Sequence, residues 1–207
     1  MIDRDELTEI TKRTLSSYGA RAQIFWDNTK DHDVSQNRNA ILSHIKGAAP
    51  YTILDFGCGP GRDLKVFQEL GHIPIGLDGC PIFCNMARKY ATCEVLHQDF
   101  LNIHLPHNHF DGIFANASLF HVPKQELPRV LEALYNSLKS EGVLLTSNPR
   151  GKNEEGWEGE CYGSFHDLEQ WNKMLSNVGL KELEHYYRPT GKPRDEQPWL
   201  VTLHRKD

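Results

Sequence analysis

The chain has 207 residues, 39% of them hydrophobic and 25% charged, which is enough for one domain with a substantial core. Lys and Arg number 23 against 28 Asp and Glu, a formal net charge of −5 that offers no basic face to nucleic acid or anionic lipid. The longest charge-free stretch, Gly112 to Pro123, is too short to cross a bilayer, and the first residues lack the pattern of a signal peptide. A cytoplasmic chain is therefore expected, with no membrane or nucleic-acid partner.

Up to about Lys46 the sequence reads as helix and loop, with Leu7, Ile10, Leu15, Ile41, Leu42 and Ile45 at helical spacing. From Tyr51 short apolar runs alternate with helical segments. Thr52 to Phe56 reads as a strand ending in glycines, Gly61 to Leu70 as a helix, Ile73 to Leu77 as a second strand and Pro81 to Tyr90 as a helix opened by proline. Cys93 to His97 and Phe110 to Ala115 supply two more strands. Gln125 to Leu138 is an amphipathic helix, followed after Ser140-Glu141-Gly142 by a fifth strand, Gly142 to Ser147. Glu154 to Tyr162 reads as a polar, glycine-rich loop. Asp167 to Val178 is a helix stopped by Gly179, and Leu180 to Tyr187 and Trp199 to His204 are the last strands. Such alternation predicts a mostly parallel sheet covered by helices on both faces, and the last two strands, with no helix between them, predict an antiparallel edge.

The chemistry sits in Asp55-Phe56-Gly57-Cys58-Gly59-Pro60-Gly61, where the first strand turns into a helix. Glycines there permit positive φ and let a ligand approach the main chain, and the following helix offers free N–H groups. A dinucleotide fingerprint would need glycine at position 62, where Arg62 stands. The second strand ends on Asp78, roughly 20 residues past the loop, where a carboxylate can accept both hydroxyls of a ribose. The third is followed by Asp99-Phe100, an acid suited to an adenine amino group and a ring suited to the base face.

These segments, with Phe110 to Pro123 and Leu138 to Leu144, resemble the class I S-adenosylmethionine-dependent methyltransferases over roughly Tyr51 to Lys206; Glu141 stands where glycine is usual. The resemblance implies a three-layer Rossmann-like α/β sandwich with a mostly parallel seven-stranded sheet and an antiparallel C-terminal edge strand. The dense aromatic and polar residues ahead of the first strand read as a lid over the cofactor, so the chain divides into an N-terminal helical lid over residues 1–46 and a methyltransferase domain over 47–207. S-adenosylmethionine is the implied cofactor. Gly57, Gly59 and Gly61 would border its methionine moiety, Asp78 its ribose, and Asp99 with Phe100 its adenine. Ala115 would offer backbone atoms to the ammonium group, and Asp55 would orient the loop and offset the ammonium charge. Cys58 and Gly79 complete the implied cofactor set.

The implied reaction is in-line transfer of a methyl group to an O, N or S atom of a small molecule, and a base is needed only where that atom enters protonated. His121, after the fourth strand, is the candidate base. Tyr18, Thr29 and His32 in the lid, Arg150 after the fifth strand and Tyr162 beyond it are substrate-side candidates, Arg150 for a carboxylate. No metal is expected from the five cysteines or from His104, His107 and His109, which lack ligand spacing. Two other classes fit less of the pattern: a cofactor-binding regulator without turnover, and an NAD(P)-dependent oxidoreductase, which Arg62 disfavours.

Overall fold

The computed structural model describes residues 2–207. Three helices come first: α1 (Arg4–Ala20), α2 (Ala22–Thr29) and α3 (Ser35–His44). Asp3 starts α1 by accepting the Glu6 N–H at 2.9 Å, which satisfies one of the free donors of a helix start. Then come β1 (Thr52–Phe56), α4 (Arg62–Glu69), β2 (Ile73–Asp78), α5 (Pro81–Ala91), β3 (Val95–His97) and β4 (Phe110–Asn116). The remainder is α6 (Leu127–Ser137), β5 (Leu138–Pro149), β6 (Glu154–Glu158), β7 (Cys161–Phe165), α7 (Leu168–Asn177), β8 (Leu180–Arg188) and β9 (Trp199–Lys206).

Seven strands form one sheet in the order β3-β2-β1-β4-β5-β9-β8, parallel from β3 to β5. At the C-terminal edge β9 runs antiparallel to both β5 and β8, so β8 points the same way as the parallel strands. Strand alternation decides which residue meets which layer. Leu54, Ile113 and Leu144 pack with Leu131 and Leu134 of α6 and Trp171 and Leu175 of α7. Their neighbours Ile53, Phe114 and Leu145 pack on the opposite face with Ile41 of α3 and Phe67 of α4, while α5 covers β2 and β3 through Cys84 and Ala87. The reversal of strand order beside β1 opens a crevice at the carboxyl ends of β1, β2 and β4, the usual ligand position in such sheets.

Two segments differ from the sequence reading. The fifth strand begins at Leu138 rather than Gly142, because Glu141 takes a left-handed conformation (φ +64°) and the pairing with β4 shifts between Phe110 and Gly112. The polar stretch from Glu154 is a hairpin, β6–β7, turning at Gly159 (φ +62°) and docked on α1, where Tyr162 N–H donates to Thr14 Oγ1 at 3.1 Å and Arg13 pairs with Glu160 at 2.8 Å. Most of β6 is solvated, so no hydrophobic alternation marked it as a strand. Among the described residues no helix is long and apolar enough to cross a membrane.

Candidate functional site

A cavity of about 620 Å³ lies over the carboxyl ends of the parallel strands. Its floor is the loop after β1, its flanks are the ends of β2 and the turn after β3, and its roof is α1, α2 and the link to α3. The loop is tied to β2 by the N–H groups of Gly57 and Cys58, which both donate to the Leu77 carbonyl at 2.8 and 3.0 Å. Gly57 has φ +82°, and a β-carbon there would fall 2.3 Å from Ser118 Cβ. That backbone can be occupied only without a side chain.

Asp78 closes the next wall. It is 8% exposed, and its two oxygens accept the Gly59 and Cys80 N–H groups at 2.9 and 2.8 Å. Each oxygen keeps a further lone pair, and the residue lines the cavity. Burial raises its pKa to about 6, against the two backbone hydrogen bonds that favour the carboxylate. Gly79, Asp99 and Phe100 line the same wall. Asp99 is held by the Leu101 N–H at 2.8 Å, and the Phe100 ring stacks on Phe56 with centroids 4.3 Å apart.

Beyond the loop lies an unbalanced charge pattern. Asp55 is 3% exposed and its Oδ2 has no partner; burial, followed by the charge of Asp63, holds its pKa well above the carboxylate range. Asp63 is matched on both oxygens, by Arg38 and by Arg62, each at 2.6 Å. Arg62 also donates to the Thr29 carbonyl at 2.9 Å, yet its Nε is buried without a partner. Both Asp55 and Arg62 line the cavity, with one unmatched acceptor and one unmatched donor buried beside it.

The far end is aromatic. His121 Nδ1 lies 2.7 Å from the Tyr162 carbonyl, which can only accept, so Nδ1 carries the hydrogen. Nε2, 2.8 Å from Tyr18 Oη, is then the acceptor of the tyrosine hydroxyl. Burial lowers the His121 pKa to about 4, so the ring is neutral at physiological pH, and burial also raises that of Tyr18. Phe120, Trp199, Arg188 and Ser147 complete this end.

The structure thus gathers Asp55, Gly57, Cys58, Gly59, Asp78, Gly79, Asp99, Phe100, Tyr18, Thr29, His32 and His121 around one cavity. Four sequence candidates are not in its lining. Gly61 is a packing glycine, where a β-carbon would sit 2.9 Å from Ala87 Cα of α5. Ala115 is fully buried within β4, and the lining begins one residue later at Asn116. Arg150 turns away to donate to the Arg194 carbonyl at 2.8 Å. The Tyr162 ring packs edge-on against Trp157, and only its carbonyl serves the site. Arg62, Ser118, Phe120, Arg188 and Trp199 were not singled out as site residues from sequence. Arg62 lies directly after the glycine motif, where it argues against a dinucleotide, and Phe120 stands next to His121.

Residues 53–142 match a family model described as a methyltransferase domain. A phosphoethanolamine N-methyltransferase of Plasmodium falciparum is 26% identical over 142 residues, which are 66% of this chain and 53% of that protein. The chain thus spans about half the length of that relative. An uncharacterized methyltransferase of Anoxybacillus flavithermus is 21% identical over 206 residues, 95% of this chain and 96% of its own. Other relatives are named as a sterol 24-C-methyltransferase of Neurospora crassa, 24% identical, and an 18S rRNA (guanine-N(7))-methyltransferase of Schizosaccharomyces pombe, 26% identical. Among solved structures, the 1,6-didemethyltoxoflavin-N1-methyltransferase of Burkholderia thailandensis, bound to 1,6-didemethyltoxoflavin and S-adenosylhomocysteine, shares the fold. It superposes with TM-score 0.79 at 18% identity, covering 97% of this chain and 90% of that one.

Proposed function

The chain belongs to the class I S-adenosylmethionine-dependent methyltransferase family, and on that footing we propose that it transfers a methyl group from bound S-adenosylmethionine to an O, N or S atom of a small molecule. The observation that carries this reading is the convergence of the Gly57–Gly59 loop, Asp78 and Asp99 on one roofed cavity. The residues present suit the cofactor. A side-chain-free cradle at Gly57 admits close approach, Asp78 keeps two free lone pairs for ribose hydroxyls, and the stranded Asp55 Oδ2 and Arg62 Nε match the ammonium and carboxylate of an amino acid.

When bound, S-adenosylmethionine supplies a methyl group already activated by its sulfonium. What remains for the chain is alignment and exclusion of water. Residues 1–46 act as the lid: Tyr18, Phe25, Trp26 and Thr29 roof the cavity, and the Arg62 bond to the Thr29 carbonyl ties that roof to the glycine loop. His121 Nε2 offers a neutral lone pair to an O–H or N–H of the acceptor, which takes the place of the Tyr18 hydroxyl. The His121 Nδ1–H stays on the Tyr162 carbonyl and holds the ring in orientation. A roofed cavity favours a small acceptor over a polymer. Incubating the protein with methyl-labelled cofactor and a metabolite extract tests this. Label in the low-molecular-weight fraction is expected, whereas label confined to RNA or protein would contradict it.

Asp78 adds a pH dependence. Its carboxylate form is the one that accepts ribose hydroxyls, and its pKa in the empty protein is about 6. Binding therefore releases a proton at low pH, so affinity for S-adenosylhomocysteine should fall as pH drops through 6, approaching about tenfold per pH unit. Calorimetric titration from pH 5 to 8 reads this directly. Asp78→Ala should weaken binding by about 1–3 kcal/mol at pH 7.5 and flatten the profile. In the empty protein the sign reverses. A pKa raised on folding contributes stability that is fully present below the unfolded value and lost as pH rises through about 6.

A further inference from the structure

We propose that the acceptor is a planar aromatic or heteroaromatic molecule bearing a carboxylate, which Arg188 receives while the ring lies against Phe120 and Trp199. This rests on the methyltransferase reading and goes on to specify the substrate class. Arg188 is the last residue of β8, which points the same way as the parallel strands, so it reaches the sheet edge where their loops gather. Its direct cross-strand partner is Trp199 in β9, and Trp199 in turn faces Pro149 at the end of β5. The Trp199 and Phe120 rings stand 6.4 Å apart at 78°, and Phe120 lies 4.0 Å from the His121 ring. All four residues from Arg188 to His121 in this group line the cavity, so a cation, two aromatic rings and a neutral imidazole share its far end.

The charge on Arg188 is the unmatched element. Its Nη2 donates to the Asp33 carbonyl at 2.7 Å, a neutral partner. The Asp33 carboxylate senses the Arg188 charge but accepts the Ser35 N–H at 2.8 Å. The other cations nearby are spent elsewhere. Arg62 is paired with Asp63 and keeps only its Nε, which the cofactor reading uses, Arg150 donates to the Arg194 carbonyl, and the Arg194 guanidinium covers the Tyr187 ring at 3.2 Å. A guanidinium fork with donors to spare, beside aromatic surface, matches a carboxylate on a flat ring better than a neutral or cationic acceptor.

The test uses the full chain saturated with S-adenosylhomocysteine, titrated calorimetrically with 4-hydroxybenzoate and nicotinate and with their neutral amides. The acids should bind at least about tenfold more tightly than the amides. Arg188→Gln should erase that preference, Arg188→Lys should retain part of it, and neither should move the S-adenosylhomocysteine affinity by more than about threefold. Equal binding of acid and amide, no binding of either acid, or an unaltered preference in Arg188→Gln overturns the inference. So does a parallel loss of S-adenosylhomocysteine affinity, which would assign Arg188 to the carboxylate of the cofactor itself. Failure of the wild-type chain to bind S-adenosylhomocysteine at all overturns the underlying reading instead.

Discussion

Gly57→Ala is expected to abolish cofactor binding. Two independent costs meet at this position. The left-handed backbone, φ +82°, costs an L-residue about 1–2 kcal/mol. The added methyl would lie 2.3 Å from Ser118 Cβ and 3.2 Å from Phe100 Cζ, so something must move. Ser118 is held by its hydroxyl bond to the Phe56 carbonyl, and Phe100 is stacked on Phe56, so neither can yield without disturbing the loop and the wall formed by Asp99 and Phe100. Gly59→Ala is the internal control. Its φ is +52°, and the nearest atom to the new methyl is Phe25 Cε1 at 3.7 Å, so strain is added without a clash. Calorimetry with S-adenosylhomocysteine should give no heat for Gly57→Ala and a measurable, weakened isotherm for Gly59→Ala. Gly57→Ala binding within about threefold of wild type would show that the cradle is not where the ligand lies.

His121→Ala is expected to lower the rate of transfer by about a hundredfold while leaving cofactor affinity within a few-fold. The ring meets no group assigned to the cofactor. Its partners are the Tyr162 carbonyl and the Tyr18 hydroxyl. With a pKa near 4 it is a weak base but a firmly neutral one, and its Nε2 lone pair needs no deprotonation before it can accept. Tyr18→Phe separates the two roles of that pair. It removes the hydroxyl that occupies Nε2 and keeps the ring contacts to Phe25 and Phe83, so it should slow transfer by about tenfold at most. Steady-state rates on the acceptor isolated by the labelling experiment decide the matter. Equal rates for His121→Ala and wild type would remove His121 from the chemistry. A rate for Tyr18→Phe as low as that of His121→Ala would make the hydroxyl the group that matters.

The depressed His121 pKa also acts on stability. Because the folded value lies below the ordinary histidine value, this group contributes stability at neutral pH that is lost as pH falls toward 4. Asp78 works in the opposite direction over the same window, its contribution falling as pH rises from about 4 to about 6, so the two groups largely offset one another there.

Much of this was legible in the sequence because the chemistry is carried by local motifs. Each parallel strand ends at the same edge of the sheet, so Gly57, Asp78 and Asp99, read one strand at a time, had to converge once the alternation of strands and helices was recognised. What was not legible depends on pairings remote in sequence. Arg188 and Trp199 flank a loop with three prolines, and only the antiparallel register of β8 with β9 brings them face to face at the cavity. Arg150 sits one residue beyond β5, but its guanidinium is drawn away to the Arg194 carbonyl, a partner 44 positions along the chain. Tyr162 contributes a carbonyl rather than a ring, and side-chain chemistry cannot announce a backbone role. Glu141 hid the true start of β5, since a left-handed position is normally signalled by glycine.

A calorimetric titration of the wild-type chain with S-adenosylhomocysteine, run beside one with NAD, bears most directly on whether the three strand tips form one nucleoside site. Saturable one-to-one binding of S-adenosylhomocysteine, with little or no heat from NAD, is the expected result. Binding of NAD alone, or of neither, would contradict it.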